Sequence, residues 1–482
     1  MVQFRSPRPL LNEQIAYLRK QLFGAGKSEK LNNAQLLLKL EALEEQVKAA
    51  EQPRQKIAYE RAKPKQRQAP AEHFKHLPVK ETVELIPDEV KADPDLYERI
   101  GEQETFEVDI IPPQLFKRLI VRPKYKHKFN KDLPPIIAPA PKRAVDGGYA
   151  SAGLLAWIVL SKYVDHQPLY RQEKMSVRWG AKLSRKTMAD WVQVVAQWLK
   201  PIYNHMRDDL LEGGYVQADE TPVNYMDPDL KKAKARQGWM WAISRPDADV
   251  VFDWRLSRRH GELTSLLNGY EGILQSDAYE AYISFARNNE NVFRVGCWAH
   301  ARRKFHEALD EAPVQAGFIL RLIAQLYALE KQWNKEGFTD PAQRAHLRER
   351  DFSWTLSLLK KAAELLLKRE LPQGRLGRAC AYLLKEWSAL VSICALGQVH
   401  LDDNHMENAI RPSAVGKKNW LFIGSAGAGD RSAIIYSVVV SCQRRGIDPL
   451  VYLRDVLSRL PSMTNQDDMS LLAPAHWSPS EA

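Results

Sequence analysis

Tyr215-Val-Gln-Ala-Asp-Glu-Thr-Pro222 has the alternating pattern of a β-strand and places a carboxylate, Asp219, towards its end. Side chains on a strand point to opposite faces with a period of two, so Asp219 and Glu220 point apart. Asp219 shares its face with Tyr215 and Gln217, whereas Glu220 shares the apolar face of Val216 and Ala218. We therefore predict Asp219, rather than Glu220, as the functional carboxylate of this strand.

The segments that follow predict a sheet. Two more strand-like runs and a helix-like run come next, and a further strand then ends at Asp277: Trp239-Met-Trp-Ala-Ile243, Val250-Val-Phe-Asp-Trp254, Glu262-Leu-Thr-Ser-Leu-Leu267 and Gly272-Ile-Leu-Gln-Ser-Asp277. This order indicates three hairpin-connected strands and then a crossover helix into a fourth strand. It is the layout of a ribonuclease-H-like core, a mixed sheet flanked by helices in a multidomain α+β protein.

A third acidic segment, Asp402-Asp-Asn-His-Met-Glu-Asn-Ala-Ile-Arg411, places Glu407 in a helix-like pattern. An aspartate that ends a strand is usually a turn or cap residue, so each segment alone is a weak signal. Two aspartates and a glutamate together are what a two-metal phosphoryl-transfer site needs. Mg²⁺ prefers such hard oxygen ligands. The gap from Asp277 to Glu407, 407 − 277 = 130 residues, contains a helical pattern over 301–398, which predicts a helical insertion.

Longer motifs give a family resemblance. Ala218-Asp-Glu-Thr-Pro-Val223, Gly296-Cys-Trp-Ala-His-Ala-Arg-Arg-Lys-Phe305 and Glu407-Asn-Ala-Ile-Arg-Pro-Ser-Ala-Val-Gly-Lys-Lys-Asn-Trp-Leu-Phe422 resemble transposases of the insertion-sequence-66 family. Leu18-Arg-Lys-Gln-Leu-Phe-Gly24 and Lys27-Ser-Glu-Lys-Leu31 do so as well. The resemblance implies a DDE transposase, an enzyme whose Asp219, Asp277 and Glu407 match the catalytic triad and hold two Mg²⁺ ions, with Mn²⁺ able to substitute.

The same resemblance implies the partners. They are the terminal inverted repeats of a mobile insertion sequence, target DNA, further copies of the chain assembled on DNA, and small accessory proteins of the element. Composition agrees, because 70 Lys and Arg against 59 Asp and Glu give a net charge of +11, which favours a polyanionic partner. No secretory signal or membrane anchor is evident, and the longest apolar stretch, around 150–160, is too short to span a bilayer. We expect a bacterial cytoplasmic protein associated with the nucleoid.

Residues 1–52 have a helical pattern with two apolar stripes, which predicts either an internal helical hairpin or a coiled coil between protomers. Gly24-Ala-Gly-Lys-Ser28 lacks the first glycine of a P-loop, so ATP binding is not expected. Residues 53–70 form a basic linker in which Lys63, Lys65 and Arg67 are candidate phosphate contacts.

Residues 71–142 predict a small strand-rich module at the position where the family carries a cysteine-ligated zinc site. The corresponding positions here hold residues such as Asp93, His127 and Asn130, and no cysteine precedes Cys297. Cys297 and His300 form a Cys-x-x-His pair, which is an incomplete ligand set, and His306 is a poor third ligand. We therefore expect no zinc, and we assign Cys297 and His300 a structural role beside the active site.

Residues 143–212 predict a helix-turn-helix-like DNA-binding domain. Ser184 has the character of an N-cap, and the helix after it begins with Arg185 and Lys186, which are candidate DNA contacts. The alternative is a helical packing domain. The catalytic core would then comprise residues 213–300 and 399–460, separated by the insertion, with a C-terminal tail over 461–482.

On the helix that carries Glu407, helical spacing places Asn404 and Arg411 on the same face. Pro412 is expected to kink or end this helix, and Lys417 and Lys418 would approach a DNA backbone together with Arg411. The glycine-rich segment 424–429 is expected to be a flexible turn rather than a phosphate cradle. The sequence thus predicts a transposase that cleaves transposon ends and transfers the strand. Its alternatives are a non-catalytic DNA-binding regulator and a ribonuclease-H-like nuclease without strand transfer.

Overall fold

The computed structural model of the chain describes residues 134–227, 234–246, 248–464 and 466–480, with scattered residues between 72 and 132. The chain divides into two units, residues 1–108 and 109–482. The helical N-terminus, the basic linker with Lys63, Lys65 and Arg67, and the positions Asp93, His127 and Asn130 lie outside the described residues. The first unit contains a short helix, Asp88–Ala92. In the second, Lys124–Tyr125 pairs with Ile136–Ile137.

A five-stranded sheet lies at the centre of the second unit. Its strands are β1 (Gly214–Asp227), β2 (Lys234–Ser244), β3 (Val250–Arg255), β4 (Gly272–Gln275) and β5 (Val292–Val295). The order across the sheet is β3-β2-β1-β4-β5. β1, β2 and β3 are antiparallel neighbours, whereas β4 is parallel to β1 and β5 is parallel to β4. The predicted α+β class is thereby confirmed, as are the three hairpin-connected strands and the fourth strand after a crossover helix.

Helices cover both faces of the sheet. α4 (His260–Leu266) and α5 (Glu280–Arg287) pack on the face that Val216, Ala218 and Leu274 present. The opposite face packs against a larger core formed by helices from both ends of the unit. These helices are α1 (Ala152–Tyr163), α2 (Leu169–Arg178), α3 (Arg185–Leu211), α11 (Asn404–Trp420), α12 (Ala426–Arg444) and α13 (Pro449–Arg459).

The outer edge of β3 is covered by α12. The backbone N–H groups of Val250 and Phe252 donate to the hydroxyls of Ser441 and Ser437, at 3.0 and 2.8 Å. An edge strand leaves these donors without a ladder partner, and buried donors need one. This explains why serines lie within an otherwise apolar, buried stretch of α12.

A second helical core follows β5, and it occupies the segment for which the sequence predicts a helical insertion. It comprises α6 (Trp298–Glu307), α7 (Pro313–Lys335), α8 (Pro341–Arg369), α9 (Arg375–Lys385) and α10 (Trp387–Val391). Arg348 on α8 is buried at its centre and donates to the carbonyls of Ile393, Leu396 and Val399. Its guanidinium therefore anchors the chain segment that leads from the insertion to α11.

The helix-turn-helix-like region contains the two predicted helices, α2 and α3. The Ser184 side chain accepts from the backbone N–H of Thr187, so the predicted N-cap is confirmed. α3 has 27 residues, and its apolar face, which includes Met188, Trp191 and Val195, is buried in the larger core. Arg185 and Lys186 are exposed at its N-terminus.

Pro412 does not end its helix, which contradicts one of the two expected outcomes. α11 continues to Trp420 because a proline removes a single helical hydrogen bond and the flanking turns remain intact. Leu421 then adopts a positive φ of 61° and redirects the chain onto β1. Ile423 N–H donates to the Asn224 carbonyl at 2.8 Å, and Met226 N–H donates to the Gly424 carbonyl at 2.5 Å. Over the described residues, no helix combines the length and apolarity needed to cross a membrane.

Candidate active site

Asp219 and Asp277 emerge at the same edge of the sheet. β1 and β4 run parallel in a register whose last pair is Gln217 with Gln275. Each aspartate follows two residues after this pair, Asp219 within the long β1 and Asp277 just beyond the end of β4. Parallel neighbours carry equivalent positions side by side, so the register brings the two carboxylates together.

Glu220 lies on the other face, as the strand period predicts. It is buried, its Oε1 accepts from Nε of Arg258 at 2.6 Å, and its Oε2 accepts from the Tyr282 hydroxyl at 2.5 Å. The Arg258 guanidinium also lies over the rings of Trp239 and Tyr279. Glu220 is therefore engaged in a structural network, which leaves Asp219 as the carboxylate of β1 on the site face.

Two buried glutamines connect the aspartate-bearing strands to the segment before Glu407. Gln217 Nε2 donates to Gln275 Oε1 at 2.9 Å and to the Asp402 carbonyl at 3.0 Å. Gln275 Nε2 donates to the His400 carbonyl at 2.9 Å, and the Tyr215 hydroxyl donates to Gln275 Oε1 at 2.5 Å. This polar ladder holds residues 400–402 against the strands that carry Asp219 and Asp277. Strand alternation places Tyr215 and Gln217 on the Asp219 face but does not reveal this role.

Glu407 lies in the first turn of α11. Its Oε1 accepts from the Arg303 guanidinium and lies 3.9 Å from His300 Nε2. Asn404, which begins the helix, uses its side-chain amide to donate to Asp402 Oδ2 at 2.7 Å. Arg303 and His300 both belong to α6, so Glu407 faces the helix that follows β5.

Asp403 is a buried carboxylate that no sequence motif indicates. It is the residue before α11, it is fully buried, and the Cys297 thiol donates to its Oδ1 at 3.0 Å. Its charge acts on Asp219, and the charge of Glu407 acts on Asp403. Asp403 thus interacts electrostatically with both Asp219 and Glu407.

Burial and neighbouring carboxylates raise the proton affinity of Asp219. Burial first, and then the charges of Glu220, Asp403 and Asp277, hold the pKa of Asp219 well above its usual range. No salt bridge reaches the Asp219 or Asp277 carboxylate from the part of the chain that the structure describes. A bound cation would relieve this repulsion. The ligand atoms of Asp219, Asp277 and Glu407 do not all lie within 4.8 Å of one another in this described part.

This electrostatic strain gives a prediction for the metal-free protein. A carboxyl whose pKa is raised in the folded state does not reduce the free energy of unfolding at pH values below its unfolded-state pKa, about 3.9. It reduces that free energy as the pH rises through its folded-state pKa. Asp219→Asn removes the charge, so in EDTA at about pH 8 it should stabilise the protein by about 1 kcal/mol. Thermal unfolding at several pH values should show the gain shrinking as the pH falls. Asp190→Asn, on the exposed face of α3, is the matched control; an equal gain from it would refute the assignment.

The predicted cationic contacts lie in different settings. Lys417 Nζ donates to the Pro222 carbonyl at 3.0 Å and to Thr221 Oγ1 at 3.2 Å, so its ammonium is fixed against β1 just past Asp219. Burial, together with the charge of Lys418, lowers the pKa of Lys417. Arg411 and Lys418 are exposed on α11. The glycine-rich segment is not a flexible turn over most of its length, because α12 begins at Ala426.

Comparison with known proteins gives three family matches. Residues 147–431 match the family described as transposase IS66 family, and residues 437–475 match its C-terminal element. Residues 10–82 match a model described as transposase C of IS166 homeodomain. Two relatives from Sinorhizobium fredii are "Uncharacterized protein y4qI", 31% identical over 86% of this chain and 79% of its own length, and "Uncharacterized protein y4jD", 33% identical over 79% and 76%. The resemblance inferred from the motifs is confirmed, and the chain belongs to the IS66 transposase family.

Proposed function

We propose that the chain is a metal-dependent DDE transposase, which cleaves DNA at the ends of its element and joins the freed 3′-hydroxyl to target DNA. The observation that supports this most strongly is the parallel register that places Asp219 and Asp277 side by side, with Glu407 on a helix whose preceding residue, Asp403, interacts electrostatically with both Asp219 and Glu407. We assign the three acidic residues as the catalytic carboxylates.

The sheet supports a ribonuclease-H-like core. Its order, β3-β2-β1-β4-β5, combines an antiparallel three-stranded meander with two strands parallel to the central β1. The first aspartate lies on β1, and the second follows β4. The glutamate comes from a helix that begins only after the helical insertion. This is the layout that the sequence predicts for the catalytic core.

The donor set fits divalent cations that prefer oxygen. Asp219, Asp277 and Glu407 offer only carboxylate oxygens, and the pKa of Asp219 is raised by burial and by the charges of Glu220, Asp403 and Asp277. Two Mg²⁺ ions, when bound, would activate the attacking hydroxyl and stabilise the leaving oxygen. Mn²⁺ has the same ligand preference and should substitute. The part of this chain is to hold the three carboxylates at one edge of a rigid sheet, where reacting groups can be positioned.

The cationic side chains around this edge suit a DNA backbone. Lys417 is held beside β1, while Arg411 and Lys418 extend from the same helix into solvent. We propose that Arg411 and Lys418 contact phosphates next to the scissile bond, and that Lys417 aligns β1 with α11. The match of residues 10–82 to a homeodomain model supports a further DNA-binding region in the N-terminal part of the chain.

The proposal is tested by strand transfer. The purified chain, Mg²⁺ and a labelled duplex carrying the inverted repeat that flanks the gene should yield a nick at the end and a product joined to a target plasmid. A duplex whose 3′-terminus lacks the hydroxyl should not be joined. Nicking without joining under all conditions would favour a nuclease, and specific binding without nicking would favour a DNA-binding regulator.

Arg185 is predicted to recognise sequence. It is exposed at the start of α3, next to the Ser184 cap, where helix-turn-helix proteins meet base edges. Arg185→Ala should reduce the preference for end DNA over random DNA by about 1–3 kcal/mol. Titration of both duplexes at several salt concentrations measures this difference. Lys200→Ala, about 22 Å further along the same helix, is the control and should leave the preference unchanged. If Arg185→Ala lowers the affinity for the end duplex and for the random duplex equally, then α3 either packs within the protein or contacts phosphates, and it does not recognise sequence.

A further inference from the structure

Cys297, His300 and Asp403 form a compact cluster beside the carboxylates. One potential ligand atom from each lies within 4.8 Å of the other two, and no other such group of three or more occurs in the described part of the chain. The Cys297 Sγ to Asp403 Oδ1 distance is 3.0 Å, and the His300 Nδ1 to Asp403 Oδ2 distance is 3.9 Å. Tetrahedral zinc with its usual bond lengths separates such donor atoms by about 3.3–3.5 Å. Small rotations of the side chains would therefore bring the three donors onto one ion.

Two atoms of this cluster have no hydrogen-bond partner among the residues that the structure describes. They are Asp403 Oδ2, which belongs to a fully buried carboxylate, and His300 Nδ1, which is buried as well. Leaving a buried carboxylate oxygen without a partner is costly, since such groups are normally paired or bound to a metal. Both atoms face each other across the space that a cation would occupy.

We infer that Cys297, His300 and Asp403 form a binding site for a borderline-soft divalent cation, Zn²⁺, with the fourth position open to water. Thiolate, imidazole and carboxylate are the three ligand types that zinc accepts in proteins, whereas Mg²⁺ prefers oxygen alone. The expectation of no zinc rested on Cys297 and His300 being an incomplete set. Asp403, 103 residues beyond His300 in the sequence, supplies the missing ligand (403 − 300 = 103).

The position of the site indicates its role. Cys297 and His300 lie one turn apart at the start of α6, and Asp403 is the residue before α11. A cation there would clamp the starts of the two helices together. With His300 Nδ1 on the cation, its Nε2 faces Glu407, which is the usual arrangement of a histidine ligand supported by a carboxylate. The zinc would thus be a structural ion that positions the helix turn bearing Glu407.

Elemental analysis of the full-length, untagged protein tests the inference. After growth with added zinc and gel filtration, the wild type should retain about one zinc per chain, because a three-residue ligand set with an open position still binds zinc tightly. Cys297→Ser and His300→Ala should each lose it. Cys394→Ser, which alters a half-buried cysteine elsewhere in the helical insertion, should retain it. Zinc retained by Cys297→Ser, or no zinc in the wild type, would overturn the site.

Cobalt absorption provides a second measurement, made on variants whose folding is checked separately. Co²⁺ added to the metal-free wild type should give a thiolate-to-metal absorption band that zinc removes. The Cys394→Ser protein should give the same band and Cys297→Ser should not, with circular dichroism confirming that both variants are folded. A band that persists in Cys297→Ser would refute the assignment. The metal measurements need no DNA, so their failure leaves the transposase proposal untouched, and failure of strand transfer leaves the zinc site untouched.

Discussion

Asp219→Asn, Asp277→Asn and Glu407→Gln should each reduce cleavage of end-containing DNA by at least about 10³-fold, since a catalytic cation supplies several kcal/mol of transition-state stabilisation. The amide variants keep the shape of the side chains and remove only the charge. Binding to the end duplex should be nearly unchanged, because the carboxylates face metal rather than phosphate. Cleavage in Mg²⁺ and binding in Ca²⁺ should be measured on the same duplex.

Two neighbouring carboxylates serve as controls for the triad. Glu280 lies three residues after Asp277 on the exposed surface of α5, so the Glu280→Gln protein should cleave normally. Glu220 lies next to Asp219 but on the opposite face of the sheet. The substitution Glu220→Gln should therefore affect the stability of the protein more than the catalytic step. Near-normal cleavage by a variant of Asp219, Asp277 or Glu407 would remove that residue from the triad. Loss of cleavage in Glu280→Gln would show that the assay responds to charge in general.

Arg348→Ala should destabilise the helical insertion by about 3 kcal/mol, as expected when a buried ion pair loses one partner and carbonyls lose their donor. Arg348 is 2% exposed, pairs with Glu330 at 2.6 Å, and donates to three carbonyls between residues 393 and 399. Arg344 also pairs with Glu330, which keeps that carboxylate compensated and limits the loss.

Hydrogen exchange measures this effect locally. A loss of about 3 kcal/mol should accelerate exchange of the α8 amides more than about a hundredfold where exchange follows opening of this unit. Arg350→Ala provides the control on the same helix, because Arg350 is exposed and its partner is the adjacent Asp351. It should leave exchange unchanged. Unaltered protection in Arg348→Ala would mean that the buried guanidinium does not hold residues 393–399 in place.

The sequence predicts the sheet well because the decisive signals are local. Alternation over Tyr215–Pro222, the strand-like runs up to Trp254 and the helix before Asp277 each depend on a few neighbouring residues, and the structure contains all of them. The end of α11 is misjudged because a proline alters one hydrogen bond, while burial of Met406 and Ile410 before it and of Ser413 and Gly416 after it keeps the helix packed on both sides.

The site is predicted less completely because its links join distant parts of the chain. The sequence offers one missed signal: both aspartate-bearing strands have Gln-x-Asp, at Gln217 and Gln275, and a buried glutamine within apolar strands requires partners. Those partners are backbone groups near residue 400, which no spacing rule reveals. Asp403 is missed for the same reason, since its relation to Cys297 and His300 exists only after the insertion has folded. The triad assignment and the DNA contacts stay predictions.

The pairing of residues 423–424 with β1 has a consequence for incomplete copies of the chain. β4 ends at Gln275, so beyond Asp219 no strand of the described residues pairs with this side of β1, and Ile423 and Gly424 occupy it at Asn224 and Met226. An uncovered strand edge is a template on which other chains can add strands. A protein truncated before Leu421 would lose this cover, and it would also lose the serines of α12 that cap β3. Both margins of the three-stranded meander would then be open to intermolecular pairing, so such fragments should aggregate rather than persist as soluble competitors of the full-length protein.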